Sequence, residues 1–90
     1  MNLDEELKSE TTVEDKLRRL VTFFTSKTFD NINMGFDLIN DVDNADRDYF
    51  LEMMAGVLSS HFEISTEPDF IANCKTLGDL ASYIHSAKGY

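Results

Sequence analysis

Six apolar residues recur at the spacing of an α-helix in the middle of the chain. They stand at i, i+3, i+4, i+7, i+8 and i+12, and are Phe50, Met53, Met54, Val57, Leu58 and Phe62. This spacing places all of them on one helix face, so it predicts a helix over residues 45–62 with that face buried. No segment shows the alternation of apolar and polar residues that a strand needs. The sequence therefore predicts an all-α fold.

Two further helices are predicted on either side of this one. The first covers residues 13–26, where a threonine at 11–12 can cap the start. The last covers residues 77–88, where Thr76 is the expected cap and Gly89 is a natural stop. Both helices carry apolar residues at helical spacing, and each is expected to turn that side inward.

The connecting segments complete the prediction of an irregular four-helix bundle with a long first loop and a short third helix. The first loop, residues 27–44, is too apolar to be a free linker and is expected to be pinned to the core. The second connection is expected to hold a short helix beginning near Pro68. Residues 1–11 are predicted to be a flexible acidic leader, and residues 12–88 a single domain.

The charge of the chain limits the partners it can bind. Seventeen acidic residues stand against eight basic ones, which gives a net charge of −9. This balance disfavours nucleic acid and anionic membranes, because binding phosphate requires a basic face. The expected partner is a protein with a basic patch, and the domain itself is expected to be a monomer. With one cysteine and no apolar run near the length of a membrane span, the expected location is the cytoplasm.

The stretch "INDVDNADRDYFLEMM", residues 39–54, places acidic residues as a calcium-binding loop does. Asp41, Asp43 and Glu52 fall at the first, third and twelfth positions of such a loop. However, the fifth position is Ala45, which has no side-chain oxygen, and the glycine position holds an aspartate. A degenerate calcium-responsive module is therefore kept only as a second alternative, and no metal site is predicted.

Three other segments stand in a recognisable order: "TVEDKLRRLV", "LSSHFEI" and "TLGDLASYI". Together they resemble parts of the acyl carrier protein family. "TVEDKLRRLV" (residues 12–21) is similar to the opening helix of these carriers, and "TLGDLASYI" (residues 76–84) resembles their closing helix. "LSSHFEI" (residues 58–64) looks like the exit of their second helix. The order and spacing of the three segments carry the resemblance, which covers residues 12–86. It implies a carrier-type four-helix bundle.

The chain departs from this family at the residue that carries the prosthetic group. In carriers, a serine at the start of the second helix holds 4′-phosphopantetheine, and here that position falls on Asp46, Arg47 or Asp48. No Ser, Thr or Cys occurs between Phe29 and Ser59. We therefore expect no 4′-phosphopantetheine and no other cofactor. A genuine acyl carrier protein modified at an atypical site remains the first alternative.

A second departure concerns the exposed side of the same helix, which is usually acidic in carriers. After Glu52 that helix has no charged Asp, Glu, Lys or Arg, and its non-core side is expected to include Ala55, Gly56, Ser59 and Ser60. The negative charge is concentrated instead in the preceding loop and the first helical turn. The candidate partner-binding residues are Asp41, Asp43, Asp46, Asp48 and Tyr49.

Other reactive residue types give no catalytic pattern. His61 and His85 lie far apart in sequence and have no metal-ligand spacing to Cys74, which is expected to be a buried apolar residue. No nucleophile with a partner base is evident, so an enzyme is not expected. The sequence favours an acyl carrier protein-like domain that acts as an acidic protein-interaction module, linked to fatty acid or polyketide biosynthesis.

Overall fold

The helical architecture is seen in a computed structural model, which describes residues 3–89. Five α-helices and one short 3₁₀ turn at Phe29–Asn31 make up the regular structure of these residues. The α-helices are α1 (Leu3–Ser9), α2 (Val13–Phe24), α3 (Arg47–His61), α4 (Pro68–Cys74) and α5 (Leu77–Lys88). The predicted all-α class is confirmed, with five helices in the described part of the chain rather than four.

Helix α2 begins where the sequence offers its cap. The Thr12 hydroxyl accepts a hydrogen bond from the Asp15 amide at 3.1 Å, which satisfies one amide of the first turn. The inward face consists of Val13, Leu17, Leu20 and Val21. The helix ends at Phe24, two residues earlier than predicted, because Thr25 adopts an extended backbone.

Helix α3 buries a slightly different face from the one predicted. Its buried residues are Phe50, Leu51, Met54, Ala55, Val57 and Leu58, and Phe62 follows directly after its end. The prediction that Met53 points inward is wrong, since 37% of it is exposed. The prediction that Ala55 lies on the non-core side is also wrong. The buried face centres on Phe50, Met54 and Leu58, so Leu51 and Ala55 border it and Met53 falls outside.

Helix α1 lies within the segment that was expected to be a frayed leader. Its Leu7 is fully buried in the common core, and α1 packs on α2. The ammonium group of Lys16 donates a hydrogen bond to the Leu7 carbonyl at 2.6 Å, which satisfies an acceptor near the end of α1. Packing on α2 thus stabilises a helix that is too short to be stable alone.

The two helices of the C-terminal part follow the predicted signals. Pro68 is the first residue of α4, where its missing N–H costs no hydrogen bond. Thr76 caps α5 by accepting from the Asp79 amide at 3.2 Å. Gly89 ends α5 in the left-handed region, with φ of 72°, which a glycine adopts without strain.

The long loop between α2 and α3 is fixed to the core as predicted. It buries four apolar side chains: Ile32, Phe36, Leu38 and Val42. Arg18 of α2 holds its first part, because Nε donates to the Ile32 carbonyl at 2.7 Å and a terminal nitrogen donates to the Phe29 carbonyl at 2.9 Å. The guanidinium carbon also lies 3.9 Å from the centre of the Phe29 ring.

The second part of this loop is paired with the junction between α4 and α5. The Leu38 amide donates to the Lys75 carbonyl at 2.8 Å, and the Gly78 amide donates to the Met34 carbonyl at 2.8 Å. An isolated antiparallel bridge joins Asp37 to Thr76. These backbone contacts place the loop residues that precede α3 at a defined position.

Gly78 is predicted to be required for this pairing. A Cβ atom at Gly78 would lie 3.0 Å from the Met34 carbonyl oxygen and 3.3 Å from the Met34 Cβ. Gly78→Ala should therefore lower the free energy of unfolding by about 1–3 kcal/mol, although alanine is the better helix former. Urea unfolding at neutral pH measures this change.

Gly56→Ala is the matched control, since a Cβ at this exposed α3 position meets nothing within 4 Å. It should raise the free energy of unfolding by about 0.5–1 kcal/mol. Equal stabilities of the two variants would contradict the close approach of the loop to α5.

The core of the described residues is one continuous cluster. All five α-helices and the long loop contribute apolar side chains to it. Fully buried members include Leu7 of α1, Leu17 of α2, Phe50 of α3, Ile71 of α4 and Leu80 of α5. Within residues 3–89, no helix combines the length and the apolar character needed to cross a membrane.

Candidate docking surface

The predicted aspartates lie together at the corner where the long loop enters α3. Asp46 is the residue that precedes the helix, and Asp48 lies in its first turn. Asp41, Asp43, Asp46 and Asp48 are all exposed. The exposed Asp46 side chain makes no capping hydrogen bond to the helix.

Tyr49 adds an aromatic ring to this corner. It is 56% exposed, and its ring meets that of Phe24 edge to face, with 6.3 Å between the centroids and 86° between the planes. One side of the tyrosine is thus supported by α2, whereas the rest is free to contact another molecule. A ring held in this way loses little conformational entropy on binding.

Met53 extends the apolar part of the surface and was missed by the sequence reasoning. It lies four residues after Tyr49, so the two side chains share one exposed face of α3. The residues that follow on that face, Gly56 and Ser60, are small, exposed and uncharged. The four-residue spacing between Tyr49 and Met53 could have indicated that both lie on the same face of α3. The spacing of the apolar residues instead led to the prediction that Met53 is buried.

Hydrogen bonds within the loop give this corner a fixed shape. Asp37 Oδ1 accepts from the amides of Ile39 and Asn40, each at 2.8 Å. The Asp37 amide in turn donates to Asp41 Oδ2 at 2.8 Å. Asp41 therefore has a structural role in addition to its exposed charge. We define the acidic corner as Asp41, Asp43, Asp46, Asp48 and Tyr49.

Arg47 links the loop to the start of α3. Its guanidinium group donates to the Ile39 carbonyl at 2.8 Å and to Asn44 Oδ1 at 2.6 Å, and the residue is half-buried. Arg47 stands at the seventh position of the calcium pattern, and its guanidinium contacts the side chain of Asn44 at the fourth position. Among the described residues, no group of three His, Cys, Asp or Glu side chains is placed to hold a metal ion.

The three positions that the resemblance assigns to the carrier serine differ in their surroundings. Asp46 and Asp48 are exposed at the helix start, whereas Arg47 is tied to the loop. Ser59 and Ser60 are also exposed, but they lie near the other end of α3. The described residues therefore present carboxylates, and no serine or threonine, at the start of this helix.

The loop carboxylate of Asp37 should make stability depend on acid pH. The amides of Asn40 and Ile39 lower the pKa of Asp37 below its usual 3.8. A lowered pKa in the folded state contributes stability above the unfolded value, and this contribution is lost as the pH falls through the folded pKa. Asp37→Asn should therefore be less stable than wild type at neutral pH, and the difference should shrink in acid.

Urea unfolding of both chains from neutral pH down to about pH 2 measures this difference. Asp30→Asn, an exposed aspartate of the same loop, is the control for removal of one negative charge. A difference between wild type and Asp37→Asn that stays constant over the whole range would contradict the role of the carboxylate.

The remaining reactive residues lie away from the acidic corner. Cys74 packs against the core but is only half-buried, and burial raises the pKa of its thiol. His61 and His85, distant in sequence, line the same groove near the other end of α3. The sequence reasoning did not bring them together, because their spacing matched no known ligand pattern.

The segments that resemble acyl carrier proteins occupy most of α2, the end of α3 and most of α5. The segments supply caps and core residues of these helices. Because many helical proteins have such caps and core residues, the resemblance rests on the order of the three segments along the chain. No model of a protein family, no curated protein and no solved structure matches the chain.

Proposed function

We propose that the chain is an acyl carrier protein-like domain that works as a protein-interaction module and carries no prosthetic group. Its fold is then a carrier-type four-helix bundle, formed by α2 to α5, to which α1 adds a fifth helix. The observation that carries the proposal is the acidic corner, where an exposed tyrosine stands among exposed aspartates. The module binds rather than catalyses, and acts in the cytoplasm.

The composition of the acidic corner supports a docking role. Binding energy at protein interfaces is concentrated in a few aromatic or arginine anchors, which are surrounded by polar residues. Tyr49 is such an anchor, Met53 enlarges the apolar contact, and the aspartates form the charged rim. The complementary surface is a basic patch with an apolar centre, on a partner linked to fatty acid or polyketide biosynthesis.

The residues at the start of α3 argue against the usual carrier chemistry. Attachment of 4′-phosphopantetheine requires a hydroxyl oxygen at this position, and Asp46 and Asp48 offer only carboxylates. Calcium binding is a weaker proposal, because the Arg47 guanidinium lies within the same loop and repels a cation. Amide resonances of Asp41, Asp43 and Glu52 should accordingly stay in place when millimolar calcium is added.

A mass measurement separates the interaction module from a carrier modified at an atypical site. The chain is coexpressed with a phosphopantetheinyl transferase, and its intact mass is recorded. We expect the unmodified mass, whereas any added prosthetic mass would refute the proposal.

Asp46→Ser and Asp48→Ser serve as paired variants, since each places a hydroxyl at the exposed start of α3. Modification of either variant, but not of wild type, would support descent from a carrier. Modification of wild type at Ser59 or Ser60 would favour the alternative instead.

The partner can be captured through the proposed anchor. A photo-crosslinking residue placed at Tyr49 should trap a protein that the same residue placed at Ser65, exposed beyond the far end of α3, does not trap. A capture that is equal at both positions would argue against docking at the acidic corner.

A further inference from the structure

A concave surface lies at the opposite end of α3 from the acidic corner. It is an open groove of about 540 Å³ between the start of α2, the end of α3 and α5. Its lining residues are Thr11, Thr12, Val13, Glu14, Lys16, His61, Phe62 and His85. The volume falls within the range of sites that bind small molecules, which is roughly 300–1,000 Å³.

The groove has an apolar base. Val13 is 5% exposed and Phe62 is 2% exposed, so both side chains belong to the core and are held firmly by it. The ring of His61 packs edge to face against that of Phe62, with 5.0 Å between the centroids. An apolar group that enters the groove would therefore meet a preformed surface.

One wall of the groove carries a positive charge. Lys16 Nζ donates to the Leu7 carbonyl at 2.6 Å and lies 3.3 Å from His61 Nε2. Neither partner is a carboxylate, so the contacts of Lys16 in the described structure leave its charge without a neutralising anion. An ammonium group has three hydrogens to donate, and a further acceptor is compatible with these contacts.

The negative charge of the groove is already paired. Glu14 Oε2 lies 2.8 Å from His85 Nε2, and this hydrogen bond lowers the pKa of the Glu14 carboxyl. The two walls thus differ: among the described residues, the Glu14 carboxylate has a histidine partner, whereas the Lys16 ammonium has no carboxylate partner. In a chain with a net charge of −9, this groove is a local site suited to an anion.

We propose that this groove binds a small amphiphilic carboxylate. The carboxylate would accept hydrogen bonds from Lys16, and the apolar part would lie on Val13 and Phe62. A single lysine, with no arginine in the lining, suits a carboxylate better than a phosphate, which favours the bidentate contacts of arginine. The proposal concerns the end of α3 away from the acidic corner and does not depend on the docking function.

Three probes of equal chain length test this assignment on the wild-type chain. Octanoate, octanol and octylamine are each titrated into the isotopically labelled protein while amide resonances are followed. Octanoate should shift the amides of residues 11–16 and 61–62 and bind about tenfold more tightly than octylamine, a difference of about 1.4 kcal/mol. Equal binding of the three probes, or octanoate shifts confined to other residues, would overturn the proposal.

Two lysine variants test which positive charge binds octanoate. Lys16→Gln should weaken octanoate binding about tenfold and leave octanol binding unchanged, whereas Lys75→Gln, an exposed lysine outside the groove, should change neither. Unchanged octanoate binding by Lys16→Gln would overturn the assignment. If Lys16→Gln does not fold, the three-probe comparison on the wild-type chain decides alone.

Dilution of the wild-type chain without any probe is a further test. If the amide resonances of the groove shift on dilution, a second copy of the chain occupies the groove, which would contradict the proposal.

Discussion

Phe62→Ala is expected to lower the free energy of unfolding by about 3–5 kcal/mol, which is a large fraction of the stability of a small domain. Phe62 is 2% exposed and lies directly after α3, where its ring packs into the common core. The smaller side chain would leave a cavity that the surrounding helices cannot fill completely. Leu58→Ala should cost about 2–5 kcal/mol for the same reason.

Chemical unfolding in urea measures both losses, and Phe23→Ala is the matched control. Phe23 has the same side chain but is 43% exposed on α2, so its removal should change stability by about 0.5 kcal/mol or less. If Phe62→Ala unfolded at the same urea concentration as Phe23→Ala, the assignment of Phe62 to the core would be wrong.

Arg18→Ala is expected to lower the free energy of unfolding by about 3 kcal/mol, the largest effect predicted for a polar residue. The change removes the charged donors to the Ile32 and Phe29 carbonyls and the guanidinium that covers the Phe29 ring. Because Ile32 is buried, its carbonyl would lose a partner in a place that water reaches poorly. Arg18→Lys should recover only part of the loss, since lysine cannot supply two donors in a fixed plane.

Hydrogen exchange locates the effect of this change. Amides of residues 29–38 should exchange faster in Arg18→Ala than in wild type, by a larger factor than the amides of α5. A uniform increase over the whole chain, or a stability equal to that of wild type, would show that Arg18 does not hold the loop.

The helices of this chain could be predicted because their signals are local. A capping threonine, a proline at the first position and a glycine after the last turn all act within a few residues, and each appears at Thr12, Pro68 and Gly89 as expected. Helix α1 has no such signal. It depends on the burial of Leu7 and on Lys16, nine residues away, so only the tertiary structure reveals it.

The boundary of the buried face of α3 shows a second limit of pattern reasoning. Met53 and Leu51 lie on opposite sides of the stripe, and both fit a helical period, since Met53 lies three residues after Phe50 and Leu51 lies three residues before Met54. The position of the neighbouring helices and of the loop decides which of them is covered. In the structure Leu51 is 7% exposed and Met53 is 37% exposed.

The two candidate sites also differ in how far the sequence predicts them. The acidic corner was predictable because its residues are close in sequence, and aspartates at a helix start are usually exposed. The hydrogen bonds of Asp37 and Asp41 were not predictable, since they require the actual turn of the loop. The groove brings together Thr11–Lys16, His61–Phe62 and His85, and only the packing of α2, α3 and α5 makes these residues neighbours.

The docking role of the acidic corner makes a kinetic prediction for the partner captured at Tyr49. Asp41, Asp43 and Asp46 are replaced together by Asn, which removes their charges and keeps an acceptor for the Asp37 amide. Exposed charges act mainly on encounter, so the association rate at low salt should fall by about tenfold while the dissociation rate changes little. The control replaces Asp30 and Asp69 by Asn and Glu67 by Gln, which are exposed residues outside the corner.

The salt dependence of the association rate of wild type and these two variants is the most direct test of the proposed docking surface. Both variants carry the same net charge, so any difference between them reports the position of the charges. We expect a steep salt dependence for wild type and the control variant, and a shallow one for the variant of the acidic corner. Identical association rates and salt dependences for the two variants would contradict this expectation.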